Sequence, residues 1–197
     1  MNDATHYRPG IGIALVNRQG LVFVGHRRDH RDSPWQMPQG GLATGEAPEA
    51  AANRELREEL GTSRAQILDL FPDWLRYDYP RDFRSGRAKR FRGQQHLWFL
   101  MGFTGEDADI AVATAHPEFD QWRWVHAERA IELAVPFKRP IYREVLAYFA
   151  PAIARFKRAA PWHREPCAPP SDGARPPSPA ASPRDSTAEP FPGCAFN

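Results

Sequence analysis

The hydrophobic positions of the chain fall into short runs separated by polar segments that contain glycine or proline. Apolar runs at 12–16 and 21–24 flank the polar segment 17–20, which ends in glycine, and this arrangement predicts a β-hairpin. Three more apolar runs, each bounded by polar or Gly/Pro residues, predict further strands. These runs lie at 67–70, 97–103 and 122–125.

The longest helical pattern covers residues 46–60. This segment is rich in Ala, Glu, Arg and Leu, which are strong helix formers, and Pro48 stands near its start, where proline is tolerated. Gly61 follows as a C-terminal stop. Further helices are predicted over 127–133 and 141–156. Because strands and helices are mixed without regular alternation, we expect an α+β fold in which helices cover a mixed β-sheet.

The composition of the chain changes near residue 159. Half of the 20 prolines lie between residues 161 and 192, together with many Ser and Ala residues and few large apolar ones. A segment of this kind buries too little apolar area to offset the entropy lost on ordering. We therefore expect one folded domain over 6–150 and a disordered Pro/Ser/Ala-rich tail over 159–197.

Two classes of protein are disfavoured by the sequence. No apolar run approaches the about 18 residues of a membrane-spanning helix, and residues 1–9 lack the apolar stretch of a secretory signal. The two cysteines, Cys167 and Cys194, both lie in the predicted tail, which argues against a disulfide scaffold or a cysteine-ligated metal. A cytoplasmic location is the expectation.

Charged residues are distributed unevenly, although the formal net charge is only +2. Basic residues cluster at 27–28, 84–92 and 138–139, whereas acidic residues concentrate on the predicted helix 46–60. This separation suits a site in which cations hold phosphates and carboxylates hold a metal. For the run 84–92, scattered solvated charge is the alternative.

Glu55, Glu58 and Glu59 stand at positions i, i+3 and i+4 of the predicted helix, so their side chains share one face. Like charges at this spacing repel one another, and a bound cation relieves that repulsion. Grouped carboxylates are the hard oxygen ligands that Mg²⁺ and Mn²⁺ take. The alternative is a solvated acidic face balanced by Arg54 and Arg57.

The residues around this helix form a longer motif with fixed spacing. Gly40 is followed after five residues by Glu46, and after seven more by Arg-Glu-Leu-Arg-Glu-Glu-Leu-Gly at 54–61. The pattern resembles the Nudix box, G-x5-E-x7-R-E-U-x-E-E-x-G-U, in which U is apolar. Every fixed position matches except the last, where Thr62 replaces an aliphatic residue. That departure lies at the helix end and concerns local packing, not metal chemistry.

The resemblance implies an α/β/α sandwich and the Mg²⁺- or Mn²⁺-dependent hydrolysis of a nucleoside diphosphate linked to another group. It assigns the metal to a set of oxygen ligands: the carbonyl of Gly40 and the carboxylates of Glu55, Glu58 and Glu59. Arg54 is expected to orient these glutamates through ion pairs, and Glu46 to support the geometry between loop and helix or an outer-shell water. Glu55 is the candidate general base, with Glu59 as the alternative.

Segments outside the box resemble the bacterial RNA pyrophosphohydrolases within this family. They lie at 7–9, 17–20, 35–41, 74–77, 117–124 and 136–139, so the likeness spans about residues 7–149. Enzymes of that group remove pyrophosphate from the 5′-triphosphate end of RNA and leave a monophosphate that promotes decay of the transcript. The resemblance implies five more site residues: Arg8 and Arg27 on the terminal phosphates, Glu118 as an additional metal ligand, and Phe137 and Lys138 on the RNA bases.

Alternatives to this function stay open at the level of sequence. From the residues alone, Arg8 also suits a plain surface position, Glu118 a turn, and Phe137 the core. Dinucleoside polyphosphate hydrolases share the box, so a substrate such as diadenosine tetraphosphate is the main alternative. A module that binds nucleotide or RNA without cutting it is a third, which the intact glutamate cluster opposes. The sequence identifies neither a 5′ nucleotide preference nor a small protein activator.

Overall fold

The structure is a computed structural model that describes residues 7–28, 35–80 and 91–159. Its strands are β1 (Tyr7–Val16), β2 (Val22–Arg27), β3 (Trp35–Gln36), β4 (Gln39–Gly41), β5 (Ala65–Leu70), β6 (Leu75–Asp78), β7 (Gly93–Phe103) and β8 (Phe119–Val125). Its α-helices are α1 (Pro48–Leu60), α2 (Ala127–Leu133) and α3 (Arg139–Arg158), and short 3-10 helices cover Asp107–Asp109 and Pro136–Lys138.

The described strands form one mixed sheet. Its main path has the order β3-β2-β1-β7-β5, while β4 pairs with β1, β6 with β7 and β8 with β2. The long central strands β1 and β7 run parallel, in register from Tyr7↔Gly93 to Val16↔Gly102. The other pairings are antiparallel. The α+β class and the mixed sheet predicted from the sequence are confirmed.

Helices cover both faces of this sheet because the central strand is apolar on both sides. Ile13 and Leu15 of β1 are fully buried in the cluster that contains Leu56 of α1. Ala14 and Val16, which point the other way, are buried in the cluster that contains most of the apolar face of α3. The result is an α/β/α sandwich in which α1 covers the face that carries the acidic motif.

Most element boundaries differ from the predicted ones by a few residues. The predicted hairpin is present as β1 and β2, paired at Val16↔Val22. Helix α1 begins at Pro48, two residues later than predicted, because Ala47 has an extended backbone with φ −67° and ψ 135°. Strand β7 begins at Gly93, since its polar first residues pair with β1 and β6 on either side.

The ends of the predicted domain can be compared with α3. This helix continues past residue 150, where we expect the folded domain to end, and its Ile153 and Phe156 are buried against the sheet. The predicted disordered tail, apart from Ala159, lies outside the described residues, as do residues 84–90 of the basic run. Within the described part of the chain, every helix is too short or too polar to cross a membrane.

A hydrogen bond ties α3 to the segment that leads into the acidic motif. The main-chain N–H of Met37 donates to the hydroxyl of the fully buried Tyr142 at 2.9 Å. We expect Tyr142→Phe to lower the free energy of unfolding by about 1–2 kcal/mol, because a buried N–H loses its acceptor. Urea denaturation measures this, with Tyr148→Phe on the exposed side of α3 as control. Equal stability of the two variants would contradict the prediction.

Candidate active site

Glycines bring strand β4 and helix α1 unusually close together. Strand β4 pairs with β1 at Gly10↔Gly41 and Ile11↔Gly40. A Cβ atom added at Gly40 would overlap the carboxylate of Glu55, which lies directly against this main chain. The carbonyl oxygen of Gly40 faces the main chain of Gly10 in the same way. Only glycine at position 40 therefore leaves space for the Glu55 carboxylate, while the carbonyl as metal ligand stays a prediction.

Arg54 connects the loop before α1 with the acidic face of the helix. Its guanidinium binds Glu46 bidentately, through Nε at 2.8 Å and Nη2 at 3.0 Å. Nη1 donates to Glu55 at 2.7 Å and to Glu58 at 3.1 Å. Nη2 also donates to the carbonyl oxygen of Gly41 at 2.9 Å. One planar side chain thus holds three carboxylates and β4 in a single arrangement.

Both partners of the bidentate pair stay ionised. The hydrogen bonds from Arg54, together with one that the Ala43 N–H donates to the same carboxylate at 3.1 Å, lower the pKa of Glu46 to about 2. The same pairing raises the pKa of Arg54 above its ordinary value. Glu46 therefore acts as a fixed anion that orients Arg54, and not as a group that exchanges protons.

We expect Arg54→Lys to reduce kcat/KM by about 10- to 100-fold, the usual cost of removing a residue that orients metal ligands. An ammonium group lacks the planar fork that reaches Glu46 and Glu55 together. Steady-state kinetics with saturating Mg²⁺ measures the loss. The matched control is Arg129→Lys, which changes an exposed pair with Glu132 on α2 and is expected to be neutral. Equal activity of the two variants would contradict the positioning role.

Glu55 and Glu59 are buried, although they belong to the acidic face. Their exposed fractions are 8% and 3%, compared with 59% for the side chain of Glu58. Burial, followed by the charge of Glu118, raises the pKa of Glu59 well above its ordinary value. Burial also raises the pKa of Glu55, and the Arg54 guanidinium opposes this effect. Neither carboxylate oxygen of Glu59 makes a hydrogen bond of standard geometry with the described residues, and the main-chain N–H of Gln39 only partly opposes the rise in the pKa of Glu59.

Glu118 lies near Glu55 and Glu59, although it belongs to a distant part of the chain, immediately before β8. Its Oε1 lies 3.9 Å from Nη2 of Arg27 and 3.5 Å from Nε2 of Gln36. Its charge acts on both Glu55 and Glu59. The structure therefore brings the predicted acidic residue outside the motif next to the two buried glutamates.

These carboxylates border one cavity of about 350 Å³. It is lined by Glu55, Arg57, Glu58, Glu59, Thr114, Ala115, His116 and Glu118. Over residues 7–28, 35–80 and 91–159, no three acidic, His or Cys side chains converge on one point as a metal cluster.

The residues present nevertheless fit a divalent cation. A buried carboxylate without a hydrogen-bond partner costs free energy unless a positive charge compensates it, and Glu59 has both oxygens in this state. The guanidinium of Arg54, on the same helix, is engaged with Glu46 and Glu55 instead. Carboxylate oxygens facing a cavity are the ligands that Mg²⁺ and Mn²⁺ prefer. Assignment of the ligands to Glu55, Glu58, Glu59 and Glu118 remains a prediction that this geometry supports.

Arg8 lies close to the glutamates. A Cβ atom added at Gly41 would lie 2.6 Å from Nη2 of Arg8, so this guanidinium rests on the main chain of β4. Arg8 also lines a second cavity, of about 460 Å³, to which Glu55 contributes as well. Arg27, beside Glu118, approaches the carboxylates at another point. The two arginines predicted to hold phosphates are thus both adjacent to the acidic residues.

Phe137 and Lys138 have a different environment from the one expected for exposed RNA contacts. The Lys138 side chain is buried, and its Nζ donates to Gln36 at 3.0 Å and to Gln39 at 2.9 Å. Phe137 is half-buried and packs on Tyr77 with ring centroids 5.5 Å apart. Lys138 therefore joins β3 and β4 through hydrogen bonds to Gln36 and Gln39, and its contact with RNA stays a prediction.

Several residues of the site were not predicted from the sequence. Gln36 and Gln39 carry no signal of their own, since glutamine in a Gly/Pro-rich segment is unremarkable until Lys138 is placed between them. Thr114 and His116 reach the cavity because the loop before β8 packs over α1, which no local pattern reveals.

Comparison with known proteins agrees with this geometry. The NUDIX domain family matches residues 6–145. An RNA pyrophosphohydrolase of Rhodospirillum rubrum is 53% identical over 146 residues, which cover 73% of this chain and 87% of that protein. The RNA pyrophosphohydrolase of Roseobacter denitrificans is also 53% identical over 146 residues, covering 91% of its length. That of Rickettsia africae is 44% identical over 145 residues, covering 89% of its length.

Solved structures show the same fold at much lower identity. The dihydroneopterin triphosphate pyrophosphohydrolase of E. coli superposes with a TM-score of 0.57 at 20% identity, covering 72% of this chain and 98% of that one. The Ap4A hydrolase of C. elegans superposes with a TM-score of 0.55 at 18% identity, covering 73% and 98%. The matched domain covers all the described strands and the complete acidic motif, and the chain therefore belongs to the NUDIX domain family.

Proposed function

We propose that the protein removes pyrophosphate from the 5′-triphosphate end of RNA and leaves a 5′-monophosphate. The observation that carries the proposal is the placement of Arg8 and Arg27 beside the carboxylates that face the cavity. An anionic polyphosphate needs such cations, whereas the carboxylates need a metal between them and the substrate. The similarity to RNA pyrophosphohydrolases over most of their length supports the RNA substrate.

Each residue of the site has a separate role in hydrolysis. When bound, Mg²⁺ or Mn²⁺ supplies positive charge to the polyphosphate and makes the attacking water more acidic. Arg54 holds one oxygen of Glu55 at 2.7 Å, which leaves the other oxygen to accept a proton from that water. Glu59 is the alternative proton acceptor. Arg8 and Arg27 bind phosphate oxygens and orient the chain of phosphates for in-line attack.

The alternative substrate, a dinucleoside polyphosphate, has weaker support. The Ap4A hydrolase of C. elegans shares the fold at 18% identity, which carries no information about substrate. The relatives at 43–53% identity are RNA pyrophosphohydrolases. RNA is therefore the favoured substrate. Because new transcripts carry 5′-triphosphates, a cytoplasmic location fits this proposal.

A comparison of the two substrates tests the proposal. Purified protein with Mg²⁺ is given a short 5′-triphosphate RNA and, separately, diadenosine tetraphosphate. We expect kcat/KM to be higher for the RNA by at least about tenfold, because RNA has nucleotides beyond the first that diadenosine tetraphosphate lacks and that Phe137 and Lys138 are predicted to contact. A higher value for diadenosine tetraphosphate would reject RNA as the substrate. The exposed Glu144→Gln variant serves as a control for general effects of substitution.

A further inference from the structure

The cavity beside Arg8 extends beyond the residues assigned to hydrolysis, because Pro9, Leu42 and Phe91 also line it. Its volume of about 460 Å³ lies within the range of small-molecule sites, about 300–1,000 Å³. It is lined by Arg8, Pro9, Gly41, Leu42, Ala43, Arg54, Glu55 and Phe91. Since Glu55 also lines the carboxylate cavity, the two spaces meet at this side chain.

The lining of this cavity combines apolar surface with charged groups, and this combination suits a nucleobase joined to a phosphate. Pro9, Leu42 and the half-buried ring of Phe91 provide apolar and aromatic surface. Arg8 adds a guanidinium that can donate to the phosphate, and Glu55 connects this cavity with the carboxylate cavity. The apolar part of the described lining therefore remains for the base.

Arg8 stands where the two kinds of surface meet. Its guanidinium lies over the main chain of Gly41, whose missing side chain leaves space for it. From there it faces a cavity that includes both Phe91 and Glu55. Arg54, the other guanidinium in the lining, is engaged by Glu46 and Glu55. Arg8 is therefore suited to contact the phosphate that joins a base in this cavity to the reacting group.

We propose that this cavity binds the base of the 5′-terminal nucleotide, stacked on Phe91. The terminal base is chosen because the cavity adjoins Glu55, so its occupant lies next to the phosphates under attack. Aromatic rings stack on all single-stranded bases, so the site is expected to require a base without selecting which one it is. This inference rests on the proposed function, since it needs a nucleotide with its phosphates at the carboxylates.

Direct binding is measured with RNA whose 5′-terminal base is 2-aminopurine and whose α and β phosphorus atoms are joined by a methylene group. The fluorescence of this base falls when it stacks on an aromatic ring. We expect the wild-type protein to quench the fluorescence of this base. Phe91→Ala should abolish the quenching and raise the Kd for the RNA by about fivefold or more, whereas Phe91→Tyr should retain the quenching. Tyr148→Ala, an exposed aromatic residue on α3, is the control.

Kinetics then separates this inference from the proposed function. Wild-type protein is expected to hydrolyse intact 5′-triphosphate RNA about fivefold or more better, in kcat/KM, than RNA lacking its first base. Phe91→Ala is expected to hydrolyse the intact RNA and the RNA lacking its first base equally well.

Efficient hydrolysis with no base preference and no quenching would overturn the base site and leave the RNA function standing. Quenching without hydrolysis would support the site and reject the function. Sensitivity to Arg8→Ala but not to Phe91→Ala would make this a phosphate site and overturn the proposal.

Discussion

The Glu59→Gln variant is expected to lose at least about 100-fold in kcat. Replacement of a residue that only orients metal ligands costs about 10- to 100-fold, so removal of a buried ligand charge should cost no less. Glu59 is 3% exposed and its two oxygens have no hydrogen-bond partner among residues 7–28, 35–80 and 91–159. Steady-state kinetics over a range of Mg²⁺ concentrations measures the loss.

The same variant should be at least as stable as the wild type without metal. A buried carboxylate close to Glu118 and Glu55 is costly, and a neutral amide of similar shape removes that cost. Divalent cations should raise the Tm of the wild type by binding the folded state, and this rise should disappear in Glu59→Gln. Glu144→Gln on α3 is the control. Turnover within a few-fold of wild type, with an undiminished Mg²⁺ effect on Tm, would reject Glu59 as a ligand.

Gly40→Ala is expected to reduce kcat/KM by about 100-fold while the protein still folds. An alanine Cβ would occupy the space of the Glu55 carboxylate, so either α1 or this side chain must move. Displacement of a catalytic group by about 1 Å is enough for a loss of about 100-fold. The φ angle of Gly40 is not positive, so the expected effect comes from overlap and not from backbone strain. Kinetics and circular dichroism together measure it.

The neighbouring glycine provides a matched control. A Cβ at Gly41 would meet only the end of the flexible Arg8 side chain, at 2.6 Å, and that side chain can turn away. We therefore expect Gly41→Ala to act mainly through KM and by a smaller factor. Similar losses for the two variants would show that the paired glycines serve the strand pairing with β1, and not the Glu55 carboxylate.

The sequence predicts those parts of the fold and site that depend on local spacing. Helix α1 and strands β1, β2 and β8 follow from their periodic apolar residues. The spacing of Glu55, Glu58 and Glu59 on one helix turn places them on one face before any tertiary contact is known. The resemblance to the Nudix box then identifies Arg54 and Glu46, whose bidentate pair the structure shows.

The parts that depend on distant segments were not predictable in this way. Strand β4 has three residues and a glycine-rich sequence, and it is a strand only because β1 pairs with it. Lys138 is predicted to contact the RNA bases, yet two glutamines from β3 and β4 accept its hydrogen bonds in the interior. Phe91 follows a basic run, and its place in a cavity with Arg8 depends on β1 and β7 running side by side.

The products released from the RNA are the sharpest test of metal-dependent pyrophosphate release by this site. A 5′-triphosphate RNA labelled at the β and γ phosphates is incubated with the wild-type protein, with Mg²⁺ and with a chelator. We predict that labelled pyrophosphate and 5′-monophosphate RNA form in equal amounts, only with the divalent cation, and not with Glu59→Gln. Undiminished hydrolysis in the chelator would reject the metal-dependent reaction, and a triphosphate end left intact while diadenosine tetraphosphate is cleaved would reject RNA as the substrate.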